Sequence, residues 1–361
     1  MKILFWGRFG NYGPDYPRNR VIIEALEQQG HEVQRFLPKL SALADWEARL
    51  RGLPLPDVLW VPCFRQRDLV AASRFAQKHQ RPLVFDPLIS AYDKQVFERE
   101  KFRPDSRAAR RLLTWERRLF ALPDAVVADT AGHAAFFHET LGVPQEKLFV
   151  IPVGAEEKLF KASLLPLRSQ DEPPELVFFG TFIGLQGVQH LVEAIGLYDG
   201  PPLRWRLLGD GPLRAECQAR VAALRQNKAD LDVQFEDWRP LAELPSRLQQ
   251  ADAFFGIFGN SAKAQRVIPN KVYQGLALGR PVITAATAAF AAKLRADENQ
   301  GLFWCRPGDP ADLVLAIKRL LARRAQWPQL GTAARHSYEQ HFSSTHIQRC
   351  VAGLLQQLAK P

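Results

Sequence analysis

Two rounds of alternating strand-like and helix-like segments constrain the fold of this chain most strongly. Apolar runs separated by helical patterns lie at residues 2–6, 32–36, 58–61, 83–85, 125–128 and 148–151. After a polar, proline-rich stretch the alternation restarts, with runs at 175–179, 204–208, 232–235, 251–257, 281–284 and 301–304. Strands that alternate with helices at this spacing indicate βαβ units and parallel sheets. The sequence therefore predicts an α/β protein with two Rossmann-like domains.

The proline-rich stretch 168–174 marks the change from one domain to the next. At 361 residues the chain has the length of about two domains. We predict a first domain at 1–165 and a second at 166–361, with a hinge near Pro152–Gly154. Ligands bind at the carboxyl ends of the strands in such sheets. The loops after the strands are therefore the candidate site, and we expect the two domains to face a central cleft.

The chain is strongly basic, with a formal net charge of +10. This excess favours an anionic partner such as nucleotide phosphates or anionic lipid. We find no nucleic-acid recognition motif, so nucleic acid is not a predicted partner. The four cysteines form no C-x-x-C pair, which argues against a zinc site and fits a reducing cytoplasm. Neither a signal peptide nor a membrane span is predicted, and we expect a cytoplasmic protein.

The stretch from Lys263 to Ile283 combines a basic loop, a short helix that ends at Gly279, and a strand. Free N–H groups and the macrodipole at a helix start attract anions. Arg266 and Lys271 add to the positive charge of Lys263 at this point. The segment predicts a site for an anionic ligand, although an ordinary solvated connection fits the same pattern.

This segment resembles the donor-binding loop and helix of the retaining family-4 glycosyltransferases with the GT-B fold. The family pattern has two glutamates separated by seven residues, then a helix and the motif G-x-P-V-I. In this chain Arg266 and Gln274 occupy the glutamate positions, and Gly279-Arg-Pro-Val-Ile283 provides the motif. Further resemblances follow the family order along most of the chain, at 126–130, 141–144, 147–154, 207–213 and 306–310.

The resemblance implies a GT-B glycosyltransferase of class EC 2.4 that retains the configuration of the transferred sugar. The donor would be a nucleotide-diphosphate-sugar, and the acceptor a saccharide or a lipid-linked acceptor. No cofactor and no divalent metal are implied, because helix ends and cations can neutralise the diphosphate. The last helix, at about 345–358, would pack back on the first domain.

The family usually supplies an arginine and a lysine from the loop after the first strand of the second domain. These cations stabilise the charge that grows on the leaving phosphate. This chain has Thr181 and Gln186 at those positions. We hypothesise that Lys263 and Arg266 replace the missing cations, since an arginine can bind a diphosphate through two parallel hydrogen bonds. The alternative is that both are solvated loop cations.

The other candidate donor residues follow from family position. Gln274 would accept hydrogen bonds from the ribose hydroxyls. Trp238 could stack on the base, although a tryptophan in the core is an equal alternative. The remaining candidates are Gly10, Gly13, Gly209, Asp210, Arg239, Pro269, Asn270 and Lys271.

The catalytic carboxylate and the acceptor site are predicted in the first domain. Asp86 and Asp93 follow the fourth strand-like run. Asp86 is the candidate catalytic residue and Asp93 a candidate acceptor ligand, although an aspartate here could also be a helix N-cap. Arg18 and Arg20 are predicted to bind an anionic acceptor or the donor phosphates.

Two other functions remain open from the sequence. Gly7, Gly10 and Gly13 have the spacing found in NAD-dependent sugar-nucleotide epimerases and dehydratases. Those enzymes pair the glycine loop with a Tyr-x-x-x-Lys, which none of the six tyrosines provides. A non-catalytic nucleotide-sugar-binding homologue is the second alternative, because Thr181 and Gln186 depart from the family pattern.

Residues 97–120 form a basic segment with eight Lys or Arg and four Asp or Glu. Its leucines recur at helical spacing, which is typical of an amphipathic helix. Such a helix could dock on anionic lipid at the inner membrane face, or it could be a core helix with a solvated basic side.

Overall fold

The computed structural model describes residues 1–7, 16–166, 168–169 and 171–359. Its contacts divide the chain into two compact units. Unit 1 comprises Met1–Gly154 and the segment from Ser344 onward, and unit 2 comprises Ala155–Ser343. Across the described ranges, no helix combines the length and the hydropathy that spanning a bilayer demands.

The described residues form twelve strands in two parallel sheets, and each strand coincides with a predicted run to within two residues. This confirms the predicted α/β class. The strands are β1 (Lys2–Trp6), β2 (Glu32–Phe36), β3 (Val58–Val61), β4 (Leu83–Phe85), β5 (Ala125–Ala128), β6 (Leu148–Val150), β7 (Glu175–Phe179), β8 (Arg204–Leu208), β9 (Val233–Glu236), β10 (Ala253–Phe255), β11 (Val282–Ala285) and β12 (Leu302–Cys305).

Helices connect the strands and cover both faces of each sheet, as parallel sheets require. They are α1 (Pro17–Gln28), α2 (Ala44–Leu50), α3 (Leu69–His79), α4 (Ala91–Asp93), α5 (Arg107–Phe120), α6 (Ala131–Glu139), α7 (Val188–Leu197), α8 (Arg214–Asn227), α9 (Leu244–Leu248), α10 (Asn270–Ala277), α11 (Ala292–Arg295), α12 (Pro310–Ala322), α13 (Trp327–His341) and α14 (Ser344–Leu358). Short 3-10 segments lie at Ser41–Leu43, Gln66–Asp68, Gln145–Lys147, Gly184–Gln186, Ala264–Arg266, Glu298–Gln300 and Arg324–Gln326, and a π-helical turn at Lys94–Glu98.

In unit 1 the strand order is β2-β1-β3-β4-β5-β6. One face of the sheet packs on α1 and on α14, the last helix of the chain, through a cluster that includes Trp60, Ile22 and Leu354. The other face is covered by the remaining helices of the unit, with Phe85, Phe120 and other aromatic side chains at its centre. The direction of strand addition reverses between β1 and β3.

In unit 2 the strand order is β12-β11-β10-β7-β8-β9. Its largest core cluster includes Trp205 and Phe255, whose rings stack with centroids 5.8 Å apart. The direction of strand addition reverses between β7 and β10. The sheet therefore has the doubly wound order of the Rossmann fold, counted from β7 as the first strand.

The segment 155–165 belongs to unit 2 by its contacts, rather than to the first domain as predicted. The guanidinium of Arg280, which is fully buried, holds this segment in place. It donates hydrogen bonds to the carbonyl oxygens of Ser163 at 2.7 Å and Leu164 at 2.8 Å, as well as to that of Ala251 at 2.9 Å. The contacts of Arg280 therefore place the start of unit 2 before the proline-rich stretch at 168–174 from which we predicted the boundary.

Candidate functional site

The reversal of strand order in unit 2 places the candidate site between β7 and β10. Loops that leave two adjacent strands in opposite directions open a crevice at the carboxyl edge of the sheet, and ligands bind there. The loops after these strands also contact each other, since the backbone N–H of Phe258 donates to the carbonyl oxygen of Gln186 at 3.0 Å. The crevice thus has a fixed backbone frame.

Glycines shape this frame because side chains would not fit. Gly187 has φ +67°, and a Cβ there would lie 2.3 Å from the backbone nitrogen of Gly259 in the loop after β10. A Cβ at Gly209, after β8, would lie 2.0 Å from the carbonyl oxygen of Gly180. Only glycine allows these approaches. They leave bare backbone at the crevice, which suits close contact with an anion.

The loop after β7 contributes no positive charge of its own. Residues 180–187 contain no cationic side chain, and Thr181 is exposed while Gln186 is half-buried. The neighbouring loop after β8 adds Asp210, whose carboxylate accepts from the N–H of Gly211 at 2.7 Å. Any cation that serves this crevice must come from another segment.

The segment that leads into α10 carries three cationic side chains. Lys263 is 2% exposed and immediately precedes the 3-10 turn Ala264–Arg266, in which Arg266 is half-buried. Lys271 is the second residue of α10 and is 4% exposed. A Cβ at Gly180 would lie 3.2 Å from the Lys271 Nζ, so this ammonium group adjoins the loop after β7.

Helix α10 begins with an exposed Asn270 after Pro269, whose backbone is extended. The first N–H groups of a helix have no acceptor within it, and they carry the positive end of the helix dipole. Gln274 lies one turn later and is 8% exposed, so its amide is largely enclosed. The helix start therefore offers donors to an anion.

The loop after β9 holds the candidate base-stacking residue. Trp238 is 57% exposed, so the alternative of a core tryptophan is wrong. Arg239 lies beside Glu236, with 3.5 Å between its Nη2 and the carboxylate. Glu236 is also bound by Arg247, which lowers the pKa of that carboxyl. Because the indole of Trp238 is exposed, it is available to stack on a nucleotide base.

In unit 1 the candidate catalytic residue is paired with a candidate acceptor ligand. Arg18 Nε donates to Asp86 Oδ2 at 2.8 Å, and both side chains are buried. Arg18 Nη1 also donates to the carbonyl oxygens of Ile151 at 3.0 Å and Pro152 at 2.7 Å. Burial raises the pKa of Asp86 above its usual value, although the guanidinium opposes that shift. The two charges therefore neutralise each other inside the unit.

A second buried cluster lies beside this pair and contains a residue that the sequence reasoning missed. His133 Nδ1 lies 2.5 Å from Asp129 Oδ1, and its Nε2 lies 3.7 Å from Oδ2 of the candidate Asp93. The hydroxyl of Thr130 caps α6 by accepting from the His133 N–H. Asp129 was the missed residue. Its position directly after β5, at the carboxyl edge, was the available signal.

Glu116 is a second residue that the sequence did not single out. This buried carboxylate on α5 accepts hydrogen bonds from the hydroxyl of Ser90 and from the N–H groups of Ala91 and Tyr92. It thereby fixes the turn between the candidate residues Asp86 and Asp93. Its role is to position that turn.

Gly10 and Gly13 lie outside the described residues. Arg20 is half-buried on α1. Within the ranges that the structure describes, no group of three or more His, Cys, Asp or Glu side chains could hold a metal ion.

Two Rossmann-like parallel sheets in one chain, with a glycine-framed crevice in the second, define a protein of the GT-B class. Solved structures of that class cover nearly the whole chain. Anabaena Alr3699/HepE in complex with UDP has a TM-score of 0.69 at 19% identity, over 99% of this chain and 100% of that one. Sucrose-phosphate synthase from Thermosynechococcus elongatus has a TM-score of 0.70 at 18% identity, over 99% and 98%. The catalytic domain of starch synthase IV from Arabidopsis thaliana, bound to ADP and acarbose, has a TM-score of 0.70 at 12% identity, over 99% of each chain.

Two family models match this chain, one in each unit. The model described as glycosyl transferases group 1 matches residues 173–323, and that of the glycosyl transferase 4-like domain matches residues 39–154. The chain belongs to the group 1 glycosyl transferases, which confirms the resemblance. It is also 25% identical over 269 residues to the probable glycosyltransferase WbjE of Pseudomonas aeruginosa, a match over 69% of this chain and 62% of WbjE. Membership in this family replaces the NAD-dependent alternative.

Proposed function

We propose that this protein transfers a sugar from a nucleoside-diphosphate-sugar to a saccharide or lipid-linked acceptor, with retention of configuration. The observation that carries the proposal is the glycine-framed crevice between β7 and β10, beside the cationic segment that leads into α10. Bare backbone, a helix start and cations are the groups that bind phosphates best in proteins. Two phosphates of a donor would use all three.

The cations of this segment would act on the leaving group. As the glycosidic bond breaks, negative charge grows on the departing phosphate, and fixed positive groups lower the barrier there. In this proposal Lys263 and Arg266 replace the cations that Thr181 and Gln186 do not supply. The same groups would neutralise the diphosphate, so the proposal includes no divalent metal.

Retention would not require a protein base. In the resemblance that motivates this proposal, the departing phosphate accepts the proton of the acceptor on the same face of the sugar. Asp86 would then orient a hydroxyl. Among the described residues, neither Asp86 Oδ1 nor Arg18 Nη2 has a hydrogen-bond partner, so one acceptor and one donor remain available.

Thermal unfolding with nucleoside diphosphates tests the proposal. HepE was solved with UDP and with UDP-glucose, and starch synthase IV with ADP, so UDP and ADP are the first probes, followed by GDP. We expect one diphosphate to raise the melting temperature in proportion to its affinity, and the matching monophosphate to raise it less. No shift with any diphosphate would contradict the proposal.

Turnover separates an enzyme from a non-catalytic homologue. The protein is incubated with the sugar conjugate of the nucleotide that stabilises it, and release of free diphosphate is followed over time. Slow release, with water as the acceptor, supports the transferase. Binding without release supports the alternative of a non-catalytic sugar-nucleotide-binding protein.

We also propose that unit 1 makes peripheral contact with anionic lipid. Helix α5 buries Leu119 and Phe120 on one face. The side chains exposed on the opposite face include one tryptophan and four arginines: Trp115, which is 38% exposed, Arg107, Arg110, Arg111 and Arg118. In the same unit the stripe Leu43, Trp46 and Leu50 is 54%, 60% and 86% exposed. Interfacial tryptophans beside arginines are typical of surfaces that lie on anionic bilayers. In this proposal the basic side of α5 contacts lipid headgroups rather than solvent alone.

A further inference from the structure

Lys271 is a buried cation whose Nζ lies over an aromatic ring rather than beside an acidic side chain of the described ranges. The side chain is 4% exposed, and no hydrogen-bond partner for its Nζ exists among the residues that the structure describes. The Nζ lies 3.6 Å from the centre of the Phe178 ring on β7. The Phe178 ring on β7 and Gly180 in the loop that follows lie beside the Nζ, and helix α10, which carries Lys271, packs on α13, β10 and β11. Burial alone lowers the pKa of Lys271 well below its usual value.

This arrangement is unfavourable for a residue that only fills space. Enclosing an amine or ammonium group without a partner destabilises a protein, whereas an apolar side chain of similar volume would not. The Nζ nevertheless adjoins the loop after β7, which carries no cation of its own because Thr181 and Gln186 are uncharged. A side chain at Gly180 would crowd the group, since its Cβ would lie 3.2 Å away.

We infer that Lys271 is the cation of the loop after β7. In the ligand-free protein it lies against Phe178 beside Gly180. In the complex its ammonium group binds the donor diphosphate together with Lys263 and Arg266, and so adds a third cation beside the uncharged Thr181 and Gln186. This inference deepens the proposed function and rests on it.

Binding would therefore take up a proton. Burial lowers the pKa of Lys271 in the free protein, and contact with a dianionic phosphate would raise it again by favouring the ammonium form. At a pH between these two pKa values, binding of the diphosphate is accompanied by uptake of a proton from the solvent. Because the pKa is low in the free protein and higher in the complex, affinity is greatest at low pH and falls as pH rises between the two pKa values.

Titration calorimetry with UDP measures this proton directly. At pH 7.5 to 9, where phosphates of this kind are already ionised (second pKa about 6), the heat is compared in two buffers of different ionisation enthalpy. We expect uptake approaching one proton per UDP and an affinity that falls up to about tenfold per pH unit. ADP and GDP replace UDP if thermal unfolding selects one of them.

Two variants assign the proton to the residue. Lys271→Met should lower the affinity for UDP about 10- to 100-fold and abolish the proton uptake, with no fall in melting temperature because methionine fits the apolar surroundings. Adding Thr181→Arg to Lys271→Met should restore much of the affinity without restoring the proton uptake, since arginine is always charged. Lys293→Met removes an exposed lysine on α11 and serves as the matched control.

The outcomes separate this inference from the function on which it rests. If the wild-type protein binds no diphosphate, both are overturned. If the wild type binds UDP, and Lys271→Met keeps its affinity and its proton uptake, the role of Lys271 is overturned and the proposed function stands. A Lys271→Met protein with weaker binding that Thr181→Arg does not improve would indicate a purely structural lysine and would also overturn the inference.

Discussion

At the carboxyl edges of the two sheets, the buried ionisable side chains differ in whether they have a partner within the protein. In unit 1 the cation Arg18 is paired at 2.8 Å with Asp86, and His133 is flanked by two carboxylates. In unit 2 the Nζ of Lys271 is buried with no hydrogen-bond partner among the described residues. Arg18 and Asp86 already neutralise each other within unit 1, whereas the amino group of Lys271 is left for a ligand. This difference supports our proposal that the edge of unit 2 binds the anionic part of the donor.

The largest expected effect comes from breaking the pair in unit 1. Arg18→Met leaves the carboxylate of Asp86 buried without its counter-charge, which should destabilise the protein by about 3–5 kcal/mol. Urea unfolding measures this as a lower transition midpoint. The double variant Arg18→Met/Asp86→Leu removes both charges and should recover most of the loss. An equal loss of unfolding free energy in the single and double variants would show that Arg18 and Asp86 do not neutralise each other.

Removing a cation from the edge of unit 2 should affect catalysis rather than stability. We expect Arg266→Ala to lower kcat/KM for the sugar nucleotide about 100-fold, equivalent to about 2.7 kcal/mol, because it removes charge stabilisation at the leaving phosphate. Steady-state kinetics measures the change. Arg295→Ala, an exposed arginine on α11, is the control. Activity within about threefold of wild type would refute the role of Arg266.

Charge reversal on α5 tests whether the exposed arginines of unit 1 bind anionic lipid. Each basic residue near an anionic membrane contributes about 1 kcal/mol, so Arg110→Glu/Arg111→Glu should weaken binding to phosphatidylglycerol vesicles at least about tenfold. Vesicle sedimentation at low salt measures this, and high salt should abolish wild-type binding. Lys293→Glu/Arg295→Glu in unit 2 carries the same charge change and should bind like the wild type. No wild-type binding at low salt would end the lipid proposal.

The smallest expected effect is a gain. Gln274→Glu restores the acidic residue of the family pattern and should tighten UDP binding about three- to tenfold, because a charged acceptor strengthens the hydrogen bonds from ribose hydroxyls. Calorimetry measures the affinity, and Gln265→Glu in the preceding 3-10 turn is the control for added negative charge. Unchanged affinity would place the ribose away from Gln274.

The sequence was sufficient for the fold because each strand carries its own signal. Buried parallel strands are nearly continuous apolar runs, as in Val58–Val61, and the turns that bound them hold glycine or proline. The alternation of these runs with helices also predicted parallel sheets, and hence the carboxyl edge at which ligands bind. These properties are local and do not depend on knowing distant partners.

The pairing of charges could not be predicted from the sequence. Arg18 and Asp86 are 68 positions apart, and nothing local shows that each neutralises the other. Arg280 binds Ser163 and Leu164 across 117 and 116 positions of sequence, which is why the sequence did not reveal that segment 155–165 belongs to unit 2. The sequence likewise left Trp238 open between core and surface. Exposure and ion pairing depend on tertiary contacts, so residue roles were predicted less well than elements.

A crystal structure with UDP tests most directly the claim that unit 2 binds a diphosphate at this edge. The account predicts both phosphates within hydrogen-bonding distance of the loop after β7, the N–H of Asn270 and the ammonium group of Lys271. It also predicts the uracil beside Trp238. A diphosphate bound elsewhere, with these groups left without contact to it, would contradict the account.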